Sequence, residues 1–164
     1  MKLITLMSII FIYYSTIYTQ DKKIAIAILD FENNSIVDKE KLDPLIDGIP
    51  SMLITKLSSA ESVTFVERER LNDILNELNL QQSSVIDPET AQKLGRLLGA
   101  QTLILGSFMN FPGNIIRIDL RIIETETGLT LRAEEVTGDS EDLFSIISDL
   151  AENVVDELDV EISN

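Results

Sequence analysis

From Lys23 to Phe31 the chain reads Lys-Ile-Ala-Ile-Ala-Ile-Leu-Asp-Phe, apolar at nearly every position, with the β-branched Ile24, Ile26 and Ile28 separated by small alanines. A strand with one wet face alternates apolar and polar residues, whereas one that is apolar throughout must be covered on both faces. The run therefore predicts a central strand in a sheet flanked by helices. Glu32-Asn33-Asn34-Ser35 then ends it in turn-forming residues.

The following segments alternate in period. Leu45, Ile46, Ile49, Leu53 and Leu57 keep helical spacing, with Asp43 placed to cap and Pro44 at the first helical position. Pro50 lies inside this pattern; it lacks an amide hydrogen and clashes one turn back, so a kink or restart is expected near Gly48–Pro50. Ser62–Val66 predicts a short strand, and Leu71, Ile74, Leu75 and Leu78 an amphipathic helix, the order of a right-handed crossover. Gln81–Ser84 is a polar break. Asp87-Pro88-Glu89 opens the next helix with a capping aspartate and a proline in the first turn. Its buried stripe is Ala91, Leu94, Leu97 and Leu98, and Gly99 is placed for a left-handed C-terminal cap.

Beyond Gly99 the pattern turns to strands at Gln101–Phe108, Ile115–Glu124 and Leu129–Thr137, separated by Phe111-Pro112-Gly113-Asn114 and Glu126-Thr127-Gly128. In the middle one Ile116, Ile118, Leu120 and Ile122 alternate with Arg117, Asp119 and Arg121, which predicts an antiparallel meander with one wetter face. Leu143, Ile146, Ile147, Leu150, Ala151, Val154 and Leu158 line one side of a final helix, while Asp142, Asp149, Glu152, Asp156 and Glu157 load the remainder. The expected fold is α/β in the order β-α-β-α-α-β-β-β-α: a three-layer-like mixed sheet, parallel in its first half and antiparallel in its second, with helices packed on it.

The first twenty residues differ in character: Lys2, an apolar run Leu3–Tyr14, then the polar stretch Ser15–Gln20. That is the layout of a secretory signal peptide, and the apolar run is shorter than the roughly 20 residues a membrane-spanning helix needs. A leader over 1–20, cleaved between Tyr18 and Asp21, and a single domain over 21–164 are expected, with an uncleaved membrane anchor as the alternative. On this reading no membrane span remains in the mature chain, and the protein resides in the periplasm or another extracytoplasmic space.

Twenty-eight Asp and Glu against thirteen Lys and Arg give a formal charge of −15. Such a field repels phosphate backbones and anionic lipid surfaces, so nucleic acid is not expected as a partner. The sequence has no histidine and no cysteine, which removes Ser-His-Asp and Cys-His nucleophiles, His/Cys zinc sites, disulfides and a lipid-modified cysteine together. Neither a calcium loop nor a phosphate-binding glycine loop occurs; Gly95 falls inside a predicted helix. No cofactor and no catalytic residue is assigned. A carboxylate pair in a cleft is the one hydrolytic arrangement the composition leaves open. Asp139-Ser140-Glu141-Asp142 fits helix-dipole compensation better than cation binding. Glu67-Arg68-Glu69-Arg70, at a strand-to-helix junction, is the densest alternating charge cluster, a structural feature first and a partner contact second.

Four segments in order carry a resemblance: Ile24–Phe31, Phe65–Leu75, Leu97–Ser107 and Arg121–Gly128. Together they resemble the CsgG-type curli production and transport family across nearly the whole expected mature chain. The resemblance implies an extracytoplasmic α/β domain that works through contacts with other envelope proteins, or with itself as a homo-oligomer, in secretion or assembly. Pore-forming members are lipoproteins that insert long amphipathic hairpins. This chain has no cysteine, and short connections stand where the hairpins would be, so a barrel pore is not expected. In the pore formers the loop after the first strand narrows the channel; the corresponding stretch here is 32–41. Glu32, Asn33 and Asn34 in that loop, with Glu67, Arg68, Glu69 and Arg70, are the candidate contact residues. The same broad fold resembles periplasmic activators of peptidoglycan synthases, which makes docking on such an enzyme the alternative function.

Overall fold

The computed structural model describes residues 23–80 and 85–158. The expected leader and the polar break at 81–84 lie outside the described residues. The strands are β1 (Ile24–Ile28), β2 (Glu32–Asn33), β3 (Val63–Phe65), β4 (Thr102–Phe111), β5 (Ile115–Glu124) and β6 (Thr130–Asp139). The helices are α1 (Lys39–Leu42), α2 (Leu45–Leu57), α3 (Arg68–Glu77), α4 (Pro88–Leu98) and α5 (Leu143–Leu158), the last entered through a 3-10 turn at Ser140–Asp142. The sheet runs β3-β1-β4-β5-β6, with β2 also paired to β4. β1 is parallel to β3 and β4, and the β4-β5-β6 meander is antiparallel. This is the mixed α/β sheet the sequence predicts, with β2 and α1 as additional elements.

β1 is buried on both faces, as its apolar run requires. Ile26 and Ile28 join Ile104, Phe108, Ile118 and Leu120 under α2 and α5, while Ala27 and Leu29 join Leu103 and Leu105 under α3 and α4. The small alanine on the second face lets Leu71, Leu75, Ala91 and Leu94 approach closely. α3 and α4 cover only the parallel half. Of β5, Ile123 reaches their core, whereas Arg117, Asp119 and Arg121 on the same face stay partly or fully exposed. The antiparallel half is therefore two layers, not three.

The helix α2 is continuous through Pro50, not broken there. A proline in a helix leaves the carbonyl four residues earlier without its donor. Here that carbonyl, of Ile46, accepts from the Phe31 backbone N–H at 2.9 Å. The hydrogen bond missing inside the helix is made from outside it, and the helix runs on. Asp43 does not cap α2; Pro44 holds that position without a side-chain cap. Asp87 does cap α4 through the Thr90 amide at 3.0 Å, and Gly99 ends that helix at φ +70°.

Two glycines mark close approaches. A Cβ on Gly95 would overlap the Thr125 side chain, whose hydroxyl donates to the Ala100 carbonyl at 2.6 Å, so α4 can lie against the β5–β6 turn only with glycine there. A Cβ on Gly106 would overlap the Phe31 ring. Gly106→Ala is accordingly expected to lower stability by about 1–3 kcal/mol through overpacking, with part of the loss recovered when Phe31→Leu is added; urea unfolding of the two single variants and the double variant measures this. The Thr90 hydroxyl and amide hold the Asp87 carboxyl below its ordinary value. Its contribution is thus complete above the unfolded-state value near 4 and is lost as pH falls through the lower folded value. The difference in melting temperature between the parent and Asp87→Ala should therefore be widest at neutral pH and narrow in acid.

Candidate interaction corner

The candidate residues lie at the carboxyl ends of β1 and β3, where the chain departs from regular strand geometry. Ile28 stands opposite Ile104, and Glu32 opposite Ser107, so β1–β2 advances four residues while β4 advances three. One extra residue reverses the facing of every side chain after it. It brings Phe31 onto the same face as Ile28, buried over Gly106, and leaves Asp30 on the side of α3. In parallel doubly wound sheets the crevice at this switch point is the usual ligand site. In this chain the crevice is filled by β2, and Asn34, Ile36 and Val37 continue along β4 by donating to the Phe108 and Asn110 carbonyls.

Asn33 is 8% exposed and organises the loop from within. Its Nδ2 donates to the Lys39 carbonyl and to Asp43 Oδ1, both at 2.8 Å, and its Oδ1 accepts from the Ser35 amide at 3.1 Å. Asp43 thus serves Asn33 instead of the helix end. Asp38 adopts a left-handed conformation at φ 53°, and its carboxylate pairs with Lys41 at 2.5 Å, which raises the ammonium above its ordinary value. Glu32, partly buried, and Asn34, exposed, border an open cleft of about 430 Å³ lined also by Asp30, Phe31 and Ile46.

Arg68 brings the second segment to this corner. Its guanidinium pairs with Asp30 across the β1 and β3 ends, both side chains being partly buried, and its Nη1 is buried without a hydrogen-bond partner among the described residues. Arg70 points away, donating to the Leu97 carbonyl at 3.0 Å near the negative end of α4. Glu67 precedes α3 without a side-chain cap bond, and Glu67 and Glu69 are exposed. The structure thus joins the two predicted segments through Arg68 and Asp30, exposes Asn34, Glu67 and Glu69, leaves Glu32 partly buried at the rim of the cleft, and gives Asn33, Arg68 and Arg70 internal bonds. Asp30, Phe31 and Ile46 complete the corner without having been singled out in the sequence; Pro50 inside a helical pattern was the available signal, because it leaves Ile46 an acceptor for an outside donor.

The corner cleft is bordered by Asp30 and Glu32, and a depression on the meander by Asp119 and Glu134, whose side chains lie on opposite faces of the sheet, Asp119 in register with Glu135 and Glu134 with the buried Leu120. In each, a guanidinium already engages a member: Arg68 pairs with Asp30, Arg117 with Asp119 and Arg132 with Glu134. Among the described residues no group of three or more His, Cys, Asp or Glu side chains is placed to hold a metal ion, and no helix is long and apolar enough to cross a membrane. Removing the guanidinium takes from the partly buried Asp30 carboxylate its cationic partner, so Arg68→Met should cost about 1–3 kcal/mol. Arg68→Met with Asp30→Asn should cost less than the two single changes summed. A double-mutant cycle by urea unfolding measures the coupling.

The fold has counterparts among solved structures. Lipoprotein GNA1162 of Neisseria meningitidis superposes with a TM-score of 0.56 at 10% identity, covering 81% of this chain and 99% of that one. A PelC dodecamer from Paraburkholderia phytofirmans gives 0.51 at 14% identity over 85% and 91%. The C-terminal domain of LpoB from Escherichia coli gives 0.50 at 14% over 74% and 87%. At such identities the likeness is one of fold. No curated protein matches the chain. The sequence model of the curli production assembly/transport component CsgG matches residues 15–117, the stretch from the expected leader through the corner and into β5. On that match, this chain belongs to the CsgG family.

Proposed function

We propose that this chain is a non-catalytic exported protein of the cell envelope that acts by protein–protein contact in the secretion or assembly of surface components and does not itself form a pore. The observation that carries the reading is the family match across residues 15–117. The corner supports it. A bulged, internally hydrogen-bonded loop and an Asp30–Arg68 pair hold Asn34, Glu67 and Glu69 outward on rigid elements, with Glu32 partly buried at the rim, the arrangement of a preformed contact surface. The β4–β5 connection is Pro112–Asn114 and β6 leads through a short turn into α5, whereas a membrane strand takes about 9–11 residues. Placement outside the cytoplasm follows from the expected leader.

Photo-crosslinking from Glu32 and Glu69 in the native cell, followed by identification of what is attached, tests the reading. The expected products are envelope proteins, recovered from the extracytoplasmic fraction, and a peptidoglycan synthase among them would select the activator role. Recovery of the protein from the cytosol with its first twenty residues intact would contradict the reading, as would sustained turnover of an envelope polymer by the purified chain.

A further inference from the structure

Among the described residues β6 ends the sheet, so its ten residues are paired on one side only. The register fixes which backbone groups face outward. Ile115 stands opposite Asp139, and the Ser140 N–H donates to the Asn114 carbonyl at 2.7 Å. In an antiparallel ladder this makes Ile115 and Asp139 a pair without mutual bonds and puts the bonded pairs at Ile116/Gly138, Ile118/Val136 and Leu120/Glu134. The intervening Ala133, Glu135 and Thr137, all exposed, turn their N–H and C=O groups to the open edge.

Sheet edges are ordinarily blunted by short length, proline, lysine or a covering element. β6 is long, contains neither proline nor lysine, and its one register shift lies near its start, between the partners of Ile122 and Ile123. Its charge is acidic: Glu134, Glu135 and Asp139, with Arg132 already paired to Glu134 and Glu157 and Glu135 to Arg117 of β5 at 3.0 Å, which leaves Asp139 and the acids of α5 to set the sign. α5 adds to this. Asn153 Nδ2 donates to Glu134 Oε2 at 3.1 Å, so that flank of the helix faces β6. Asp149 and Asp156, one turn before and after Asn153, lie on the same flank and are exposed. A second copy of β6 would set these carboxylates against their own kind, which destabilises strand pairing.

We propose that the β6 edge is a strand-addition site for an extended basic segment of another protein, its main chain bonded to Ala133, Glu135 and Thr137 and its Lys or Arg side chains, at alternate positions, facing Asp149 and Asp156. Main-chain bonds supply the affinity and the charge pattern the selectivity. This rests on reading the chain as a contact module.

The probe is a labelled synthetic peptide of about twelve residues, long enough to span the edge, with Lys alternating with Thr and Val; its control has the same composition with the lysines in one block. Fluorescence anisotropy should show the alternating peptide bound more tightly than the block peptide. Asp149→Asn with Asp156→Asn should weaken it about three- to tenfold. Ala133→Pro, which removes an outward N–H while sparing the β5 ladder, should weaken it about tenfold. The Asp→Asn pair tests the site even if the proline variant fails to fold. Amide exchange should slow at Ala133, Glu135 and Thr137 on binding. Equal affinity for the block peptide, no effect of the Asp→Asn pair, or protection elsewhere would overturn the proposal. If the alternating peptide fails while crosslinks from the corner still capture envelope proteins, the edge site falls and the contact function stands.

Discussion

The hydrogen bond from the Phe31 amide to the Ile46 carbonyl at 2.9 Å ties the sheet to its first crossover helix, and much of the corner depends on it. It exists because Pro50 cannot use that carbonyl. A residue with an N–H at position 50 would close the helix on itself and compete for the acceptor. With the carbonyl open, the chain leaving β1 can turn inward, seat the Phe31 ring on Gly106 and resume pairing with β4 as β2. The extra residue in that turn puts Asp30 within reach of Arg68 and Asn33 into the loop it organises. A helix proline, a strand glycine and a bulge are parts of one arrangement.

The proposed contact function draws on the same arrangement. In related sheet topologies the crevice beyond β1 and β4 receives a ligand; in this chain it receives its own backbone, and the polar groups left outward are carboxylates and an amide on a rigid support. On the proposed contact function, charge would bias the choice of partner. At −15 the chain draws basic surfaces toward it and discourages anionic ones, in a salt-dependent way. Membership of the CsgG family supplies the context in which such surfaces would act, and the uncovered half of the sheet leaves a second region, apart from the corner, for contact.

How far the sequence announced this depended on whether the signal was local. β5 appears with the predicted bounds because its alternating isoleucines are flanked by turn residues, and α4 because Asp87, Pro88 and Gly99 mark its two ends. β2 was hidden: Glu32 and Asn33 read as turn residues and become a strand only through Ser107 and Phe108, far along the chain. Pro50 read as a break because its remedy comes from Phe31. At the candidate site Glu67–Arg70 stood out by charge, yet its anchor Asp30 is 38 residues away, and Asn33 is an internal brace where an outward contact was expected. The wetter face of the meander was legible in the alternation of Ile116, Ile118, Leu120 and Ile122 with Arg117, Asp119 and Arg121; which helices would leave it uncovered was not, since that is a property of their packing and not of any one segment.

The corner is held to be a preformed surface, and amide hydrogen exchange at Phe31 in the native protein tests this most directly. If its N–H is bonded to Ile46 inside a closed corner, Phe31 should exchange on the slow timescale of buried β4 amides such as Leu105, and Ser35, bonded to Asn33, should be protected with it. Exchange at Phe31 as fast as at the exposed turn residue Gly113 would mean that the corner opens freely, and a rigid contact surface there would be ruled out.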